Sequence, residues 1–400
     1  MPMTLADRAN RISHSPTLSI AALAKRMRAA GADVLDFSVG QPDFPTPSCA
    51  KEAGKAAIDA NRTGYTANEG IPELREAIAD KLRLENGLEY AAADIVVSPG
   101  AKATLYFLAM AAFQAGDEVL IPAPFWVSYP EQVALADATP VFVESREENA
   151  FQLTPTELEA AITPRTKAVI LNYPCNPTGA CYQREELEAL ARVCVEHDLL
   201  VISDEIYERL LYDGRVFTSI AALGEEIKSR TVVVNGMSKS FSMTGWRLGY
   251  AAGPSPIIDA MSKIQSHSTS NATSIAQWAG LEALRSAEDD VRRMVSAFQE
   301  RRDIMLAGLL AIPGVTCPRP AGAFYAFPNV SAYFGRRHAG GVIGSALELS
   351  AYLLDRARVA VVPGEAFGAP DNLRLSYATS REKIEEGVAR IATALEALGS

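Results

Sequence analysis

From about residue 72 onward, helical patterns of apolar residues alternate with short apolar runs. This alternation is typical of parallel β/α construction, in which each short run is a buried strand and each helix returns the chain to the next strand. Most of the runs end in Gly, Pro, Asn or Asp. Because ligands of open α/β sheets collect at the carboxyl ends of the strands, we expect the functional residues there. The predicted strands are 95–98, 118–121, 140–143, 167–172, 199–203, 231–234 and 248–252.

Near residue 287 the pattern changes to one long helix, followed by short apolar runs at 323–327, 359–362 and 373–377. This change predicts a second, smaller α+β domain, as expected for a chain too long for one small core. We therefore predict an α/β protein with a mostly parallel seven-stranded sheet. The predicted divisions are an N-terminal arm with part of the small domain at 1–47, a large domain at 48–290 and a small C-terminal domain at 291–400.

The charge and composition exclude several classes of protein. A net charge of -10 argues against nucleic acid or an anionic membrane as the main partner. The first twenty residues lack the apolar core of a secretory signal, and no apolar run approaches membrane-spanning length, so we expect a cytoplasmic protein. The cysteines form no CxxC pair, which predicts reduced thiols. The histidines are too scattered to predict a metal site: His14, His197, His267 and His338.

One lysine, Lys239, directly follows a predicted core strand and stands among small and hydroxyl residues. Most loop lysines are solvated surface charges, and that is the ordinary interpretation. Burial would instead strip the ammonium of its hydration and favour the neutral, nucleophilic amine. The residues at the other strand ends distinguish these two interpretations.

A small-residue turn, Gly100-Ala101-Lys102, opens a helix after the strand at 95–98. Such a turn presents free backbone N–H groups and suits a phosphate, although turns of this kind are common in the architecture. Lys102 opposes the helix dipole from the first turn, which favours an anion nearby.

Two further strand ends carry polar groups. Asp204 follows the strand at 199–203 and is either a helix cap or a functional acid, with Tyr207 three residues beyond it. An Asn-Pro turn leaves the amide of Asn176 projecting. Together with Lys239 and Arg247, these strand ends supply a phosphate cradle, an acid, a phenol, an amide, an amine and a guanidinium. That set fits pyridoxal phosphate.

The motifs GQPDFPTP from residue 40, GIPELREAI from 70, WVSYP from 126, NYPCNPTG from 172, SDEIYE from 203, SKSFSMTGWR from 238, AGAFYAF from 321 and LRLSYATS from 373 follow one another along almost the whole chain. With them the sequence resembles the fold-type I pyridoxal-phosphate enzymes of the class I aminotransferase family, especially its bacterial aspartate aminotransferase branch, some members of which also use prephenate. The resemblance implies transfer of the amino group of an acidic L-amino acid, aspartate first, to 2-oxoglutarate by a homodimer with shared active sites.

The resemblance also implies roles for residues around the cofactor ring. Lys239 would bond covalently to the cofactor and later carry the proton. Asp204 would pair with the pyridinium nitrogen, Tyr207 and Asn176 would bind the ring oxygen, and Trp126 would stack on the ring.

The same resemblance assigns the phosphate of the cofactor to a second group of residues. Arg247 would hold it together with the turn formed by Gly100, Ala101 and Lys102, and Tyr65 would reach the phosphate of the neighbouring subunit.

For the substrate, the resemblance implies that Arg374 binds the α-carboxylate as a planar fork, helped by the backbone of Gly40. Lys102 would contact the distal carboxylate, and Trp126 and Asn176 would complete the pocket.

One departure from the family pattern concerns phosphate binding. Many relatives have a serine three residues before the lysine, where this chain has Gly236, so the part that Ser238 plays stays open. An aromatic or broad-specificity aminotransferase, a C–S lyase and an aminocyclopropane-carboxylate synthase would share the cofactor residues. A transcription regulator would need a DNA-binding module for which the motifs leave no room, and no GxGxxG motif follows a strand, as a nicotinamide dehydrogenase would require.

Overall fold

A seven-stranded sheet forms the centre of the computed structural model, which describes residues 4–13 and 16–399. In chain order, the strands are β1 Leu35–Asp36, β2 Ile95–Ser98, β3 Glu118–Ala123, β4 Thr139–Glu144, β5 Thr166–Asn172, β6 Leu200–Asp204, β7 Thr231–Gly236, β8 Gly249–Ala252, β9 Tyr325–Ala326, β10 Arg337–His338, β11 Gly341–Val342, β12 Val359–Ala360, β13 Val362–Pro363 and β14 Leu373–Ser376.

The α-helices connect these strands and cover the sheet. In chain order, they are α1 Asp7–Arg11, α2 Pro16–Ala29, α3 Ser48–Asp59, α4 Pro72–Asn86, α5 Ala101–Ala112, α6 Tyr129–Leu135, α7 Pro155–Ala160, α8 Arg184–Glu196, α9 Glu225–Lys228, α10 Met237–Ser240, α11 Ser255–Ser266, α12 Ser274–Ser286, α13 Glu288–Leu310, α14 Ala346–Tyr352 and α15 Arg381–Glu396.

The large sheet has the strand order β2-β8-β7-β6-β5-β3-β4. All seven predicted strands are confirmed as its members, with ends that differ by up to two residues. Strand β8 runs antiparallel to both of its neighbours, whereas the remaining pairs are parallel. The carboxyl ends of β3, β5, β6 and β7 therefore meet at one edge of the sheet.

Both faces of this sheet are buried, which explains why its strands read as continuous apolar runs. In β7, Val232 and Val234 pack in one cluster with residues of α5 and α11. Val233 points to the opposite face, into a cluster with α4 and α12. Packing on both faces therefore holds the end of β7, where the chain leaves the sheet, in place.

The C-terminal part contains the antiparallel sheet β13-β14-β9 and the parallel pair β1-β12. The predicted long helix is confirmed as α13, which packs with α15 around a separate core that includes Phe298, Phe324 and Leu375. The run predicted at 359–362 is two strands, because the chain changes partners at Val361, from β1 to β14. The fold class is confirmed, and the predicted division at residues 47 and 290 stays a prediction.

Between residues 4–13 and 16–399, no helix combines the length and apolar character needed to span a bilayer. In the same ranges, no three or more His, Cys, Asp or Glu side chains are grouped so as to hold a metal ion. His14 lies outside the described residues.

Candidate active site

A cavity of about 360 Å³ lies at the carboxyl edge of the large sheet. The N-terminal arm, the start of α5, the ends of β5, β6 and β7, and the C-terminal part all contribute to its wall. The structure brings most of the predicted site residues together there, and only Gly100 and Tyr65 do not line it. The predicted residues in the wall are Gly40, Ala101, Lys102, Trp126, Asn176, Asp204, Tyr207, Lys239, Arg247 and Arg374.

Lys239 is half-buried, and its ammonium donates a hydrogen bond of 2.6 Å to the carbonyl oxygen of Gly40. Burial, together with the positive charges of Arg374 and Arg247, lowers the pKa of this amine to about 7, and the negative charge of Asp204 opposes that change. A large fraction of the amine is therefore neutral near pH 7, as a nucleophile must be.

The backbone before Lys239 explains why a glycine stands at 236. A Cβ on Gly236 would lie 2.8 Å from the carbonyl oxygen of Leu248 and 2.9 Å from the Cα of Gly249. Such contacts are too short for any larger residue. The close approach lets β7 continue directly into α10, which carries Lys239 and places Ser238 in the cavity wall.

Asp204 ends β6 and is buried. Its Oδ2 accepts a hydrogen bond of 2.6 Å from the Tyr129 hydroxyl, and its Oδ1 accepts one of 3.3 Å from the backbone N–H of Ile206. Burial raises the pKa of this carboxyl to about 6, and the hydrogen bond from Tyr129 opposes that rise. The capping interpretation of Asp204 is wrong, because a turn rather than an α-helix follows β6 and contains Tyr207.

Two neighbours of Asp204 were not predicted as site residues. Tyr129 contacts its carboxylate, and the Nδ2 of Asn172 donates 3.0 Å to its backbone carbonyl. Asn172 also accepts 2.9 Å from the backbone N–H of Asn176. Both lie inside the motifs WVSYP and NYPCNPTG, so their positions were marked, but their partners are far away in the sequence.

Arg374 is buried at 3% exposure, and its guanidinium is held on two sides. Nη1 donates 3.0 Å to the Oδ1 of Asn176, and Nη2 donates 2.7 Å to the carbonyl oxygen of Ser38. Among the described residues, Nε has no hydrogen-bond partner although it is buried. A buried donor of a charged group without a partner is costly, so this geometry favours a ligand that accepts from it.

Tyr325 is a further residue that the sequence did not predict for the site. Its hydroxyl lies 2.8 Å from the hydroxyl of Tyr207, and both side chains are buried. Its ring centroid lies 4.6 Å from the Cζ of Arg374. The residue belongs to the motif AGAFYAF, and only the fold brings it to Tyr207.

The start of α5 and the residues after α10 form a cationic cradle. Gly100 has a φ of +92°, and a Cβ there would lie 2.4 Å from Nη2 of Arg247. Arg247 is itself left-handed, with a φ of 55°, and its Nη1 donates 2.9 Å to the carbonyl of Thr244. A larger residue at 100 would therefore fill the space beside the guanidinium. The N–H groups that open α5 and this cation suit a phosphate.

Lys102 lies on the cavity side of α5, with its Nζ 4.7 Å from the ring centroid of Trp126. Neighbouring protein removes water from the ammonium and lowers its pKa, and the charge of Arg247 lowers it further. Within residues 4–13 and 16–399, no ion pair involves Lys102. The cavity wall thus includes Lys102 together with Lys239, Arg247 and the buried Arg374.

Tyr65 lies apart from this cavity. At 94% exposure it is on the surface of the single chain.

The residues of the cavity fit pyridoxal phosphate. Lys239 offers an amine of lowered pKa to an aldehyde, and Asp204 offers a buried carboxylate to a ring nitrogen. At the start of α5, Gly100 lets the guanidinium of Arg247 lie against the turn, where a Cβ would collide with it, so a cation and free backbone N–H groups stand together for a phosphate.

The model of the family "aminotransferase class I and II" matches residues 32–391. The chain is 50% identical over 397 residues to an aspartate aminotransferase of Geobacillus stearothermophilus, covering 99% of this chain and 100% of that one. It is 49% identical to an aspartate/prephenate aminotransferase of Cereibacter sphaeroides, covering 97% of each. The crystal structure of an aspartate aminotransferase from Rhizobium meliloti superposes with a TM-score of 0.96 at 42% identity, over 99% of this chain and 100% of that one.

Proposed function

The chain belongs to the class I and II aminotransferase family, and from this premise we propose that it transfers the amino group of L-aspartate to 2-oxoglutarate. It is a transferase, and its cofactor is pyridoxal phosphate. When bound, this cofactor holds the substrate amine and withdraws electrons from its α-carbon.

The observation that carries the choice of an acidic donor is that Lys102 and Arg374 line one cavity. Arg374 has a buried Nε without a partner among the described residues, which suits a bidentate α-carboxylate. Lys102 lines the same cavity from another element, α5, and can bind a second carboxylate. A neutral amino acid would offer Lys102 no carboxylate.

The proposed work of the remaining residues follows from their surroundings. The neutral amine of Lys239 would take the proton from the α-carbon of the substrate, and the resulting ammonium would deliver it to the cofactor carbon that carries the substrate nitrogen. Asp204, oriented by Tyr129, would keep a proton on the nitrogen of the cofactor ring. Tyr207 and Asn176 would bind the ring oxygen.

The phosphate and the ring are held by a second set of groups. Trp126 would stack on one face of the ring. Arg247 and the turn of Gly100, Ala101 and Lys102 would hold the phosphate, and Ser238 lies in the same cavity wall.

We also propose a homodimer with shared sites. The motifs that relatives use across the subunit boundary include Tyr65 and the tract at 266–272, and Tyr65 is 94% exposed in the single chain. Its hydroxyl would complete the phosphate site of the partner subunit. The test mixes two defective variants, Lys239→Ala and Tyr65→Phe. Hybrid dimers with partial activity support sharing, and a fully active monomer in sedimentation contradicts it.

The test of the donor is a panel of L-amino acids assayed with 2-oxoglutarate. Aspartate should exceed alanine and phenylalanine in kcat/KM. Glutamate is assayed with oxaloacetate as the acceptor, because with 2-oxoglutarate its reaction has no net product. Prephenate belongs in the panel as an alternative acceptor, since the similar protein of Cereibacter sphaeroides bears that name. Preference for aromatic donors would instead favour the aromatic alternative, and release of a 2-oxo acid and ammonia without amino transfer would favour a lyase.

The cytoplasmic location and the domain limits at 47 and 290 stay predictions. Cell fractionation checks the first, and limited proteolysis with mapping of the cut sites checks the second.

A further inference from the structure

We propose that Tyr325 is a positioning residue, which orients the hydroxyl of Tyr207 toward the cofactor and transmits to it the binding of a carboxylate at Arg374. This inference rests on the proposed function, because it assumes that Tyr207 faces the ring oxygen. It assigns a task to a residue that contacts both the substrate-binding arginine and the cofactor-binding tyrosine.

The contacts of Tyr325 point in two directions. Its hydroxyl is 2.8 Å from the hydroxyl of Tyr207, and the two rings meet edge to face with centroids 5.9 Å apart. The face of the same ring lies 4.6 Å from the Cζ of Arg374. Tyr325 is fully buried, so water does not separate it from either neighbour.

The direction of the hydroxyl pair follows from counting protons. Each phenol has one proton, and a guanidinium can only donate. If Tyr325 donates to Tyr207, the proton of Tyr207 is left for an acceptor in the cavity. If Tyr207 donated instead, no hydrogen bond of the described residues would receive the proton of Tyr325, whose ring packs on the cationic Arg374. The 2.8 Å distance fits either direction, and we take the first because it pairs both protons once the ring oxygen of the cofactor is the acceptor.

Arg374 strengthens the hydrogen bond that Tyr325 donates to Tyr207 as long as no carboxylate is bound to its guanidinium. A cation over the ring makes the hydroxyl of Tyr325 a better donor, in line with the way Arg374 opposes the rise in its pKa caused by burial. A hydroxyl that accepts a stronger hydrogen bond becomes a stronger donor itself. A carboxylate bound at Arg374 removes this effect, so Tyr207 donates less strongly once substrate is bound. The other charged groups that face Tyr207 are Asp204 and Lys239.

The test is a spectrophotometric pH titration of the protein loaded with pyridoxal phosphate, with and without saturating maleate as a non-reactive dicarboxylate. A hydrogen bond to the ring oxygen withdraws its negative charge and lowers the midpoint at which the near-visible band changes. In Tyr325→Phe the midpoint should therefore rise by about 0.2 to 0.6 pH units, a tenth to a third of a charge-assisted hydrogen bond. The shift caused by maleate should shrink by a similar amount.

Phe367→Leu is the matched control. Phe367 also packs on Arg374, at 5.1 Å from Cζ, but makes no hydrogen bond to Tyr207. The midpoint of the Phe367→Leu variant and the shift that maleate causes in it should equal those of the wild type. In a Tyr207→Phe background, adding Tyr325→Phe should cause no further change. Tyr207→Phe alone should also reduce the maleate shift, which keeps the proposal testable if Tyr325→Phe does not fold.

An unchanged midpoint in Tyr325→Phe would overturn the positioning role, and an unchanged maleate shift would overturn the link to Arg374. A change of equal size in Phe367→Leu would show that any lost contact at Arg374 has this effect, which also contradicts the proposal. If the wild type shows no maleate shift at all, the aspartate assignment fails, whereas the effect of Tyr325→Phe on the ligand-free midpoint still tests the role of Tyr325.

Discussion

Lys102→Ala should weaken acidic donors and leave neutral ones nearly unchanged. The ammonium lies 4.7 Å from the ring centroid of Trp126, inside the cavity that also contains Arg374. In the proposed complex it contacts the distal carboxylate of the substrate. The variant removes this charge and keeps the helix, because alanine is a strong helix former.

The magnitude follows from the surroundings of the lysine. A hydrogen bond between charged groups is worth about 1.5 to 3 kcal/mol, or roughly tenfold to a hundredfold in kcat/KM. Lys102 is accessible to water in the single chain, and solvent screens exposed charges. We therefore expect a loss near the lower end, about tenfold, for aspartate and glutamate, and for prephenate if it is used.

The assay should measure the reaction of each donor with the cofactor-loaded enzyme in the absence of a 2-oxo acid. This half-reaction is necessary because 2-oxoglutarate carries two carboxylates itself and would report on Lys102 in every assay. Aspartate is compared with phenylalanine, in wild type, Lys102→Ala and the charge-keeping Lys102→Arg. Lys55→Ala, at an exposed lysine paired with Glu52 on α3, controls for the loss of one surface charge.

Equal losses for aspartate and phenylalanine would show that Lys102 does not contact the distal carboxylate. They would place Lys102 with the phosphate of the cofactor, and weaker retention of pyridoxal phosphate during dialysis should then accompany them. The aspartate assignment would in that case depend on the similarity to relatives alone.

Three further predictions concern groups around and outside the cavity. Tyr129→Phe removes the 2.6 Å hydrogen bond that lowers the pKa of Asp204, so that pKa should rise and kcat should fall about tenfold, most strongly as the pH falls below neutral and more of the carboxyl is protonated, in a pH–rate profile. In the cofactor-free protein, uptake of pyridoxal phosphate should accelerate as the pH rises through about 7, where Lys239 becomes a neutral amine, and stopped-flow absorbance checks this. Asp213→Asn should lower the free energy of unfolding by about 1 to 2 kcal/mol in urea, because it breaks the pair with the fully buried Arg302, discounted for a carboxylate that is 38% exposed. The pKa of Asp213 is depressed in the folded state. Its contribution to the free energy of unfolding is therefore present above the pKa of the unfolded state, about 4, and is lost as the pH falls below that value. The wild type should accordingly lose stability on acidification more steeply than the variant.

The sequence predicted those parts of the fold that depend on local pattern. Both faces of the large sheet are covered, so its strands are apolar throughout and stand out from the intervening helices. The run at 359–362 was predicted as one strand and is two, because Val361 is the point where the chain exchanges β1 for β14 as its partner. The first of these partners, β1, lies more than 300 positions away, so the exchange leaves no local signal.

Some residues of the candidate site could likewise be predicted from local pattern, and others could not. Lys239, Asp204 and Asn176 follow strands, and the carboxyl ends of parallel strands meet at one edge, so their gathering could be predicted. Tyr325 could not, because its hydroxyl reaches Tyr207 across 118 positions of sequence. Tyr129 is similar, since an apolar environment and a partner 75 positions away decide its role.

We expect Lys239 to be the lysine that holds pyridoxal phosphate. Two lysines line the cavity among the described residues, Lys102 and Lys239, so the alternative is a covalent bond of the cofactor to Lys102. The measurement is borohydride reduction of the loaded wild-type enzyme, followed by peptide mapping with mass spectrometry. We expect borohydride to bleach the near-visible band and the cofactor mass to be found on Lys239. The variant Lys239→Ala should fold but show neither the band nor the label. Label on Lys102, or a reducible band with normal turnover in Lys239→Ala, would contradict it.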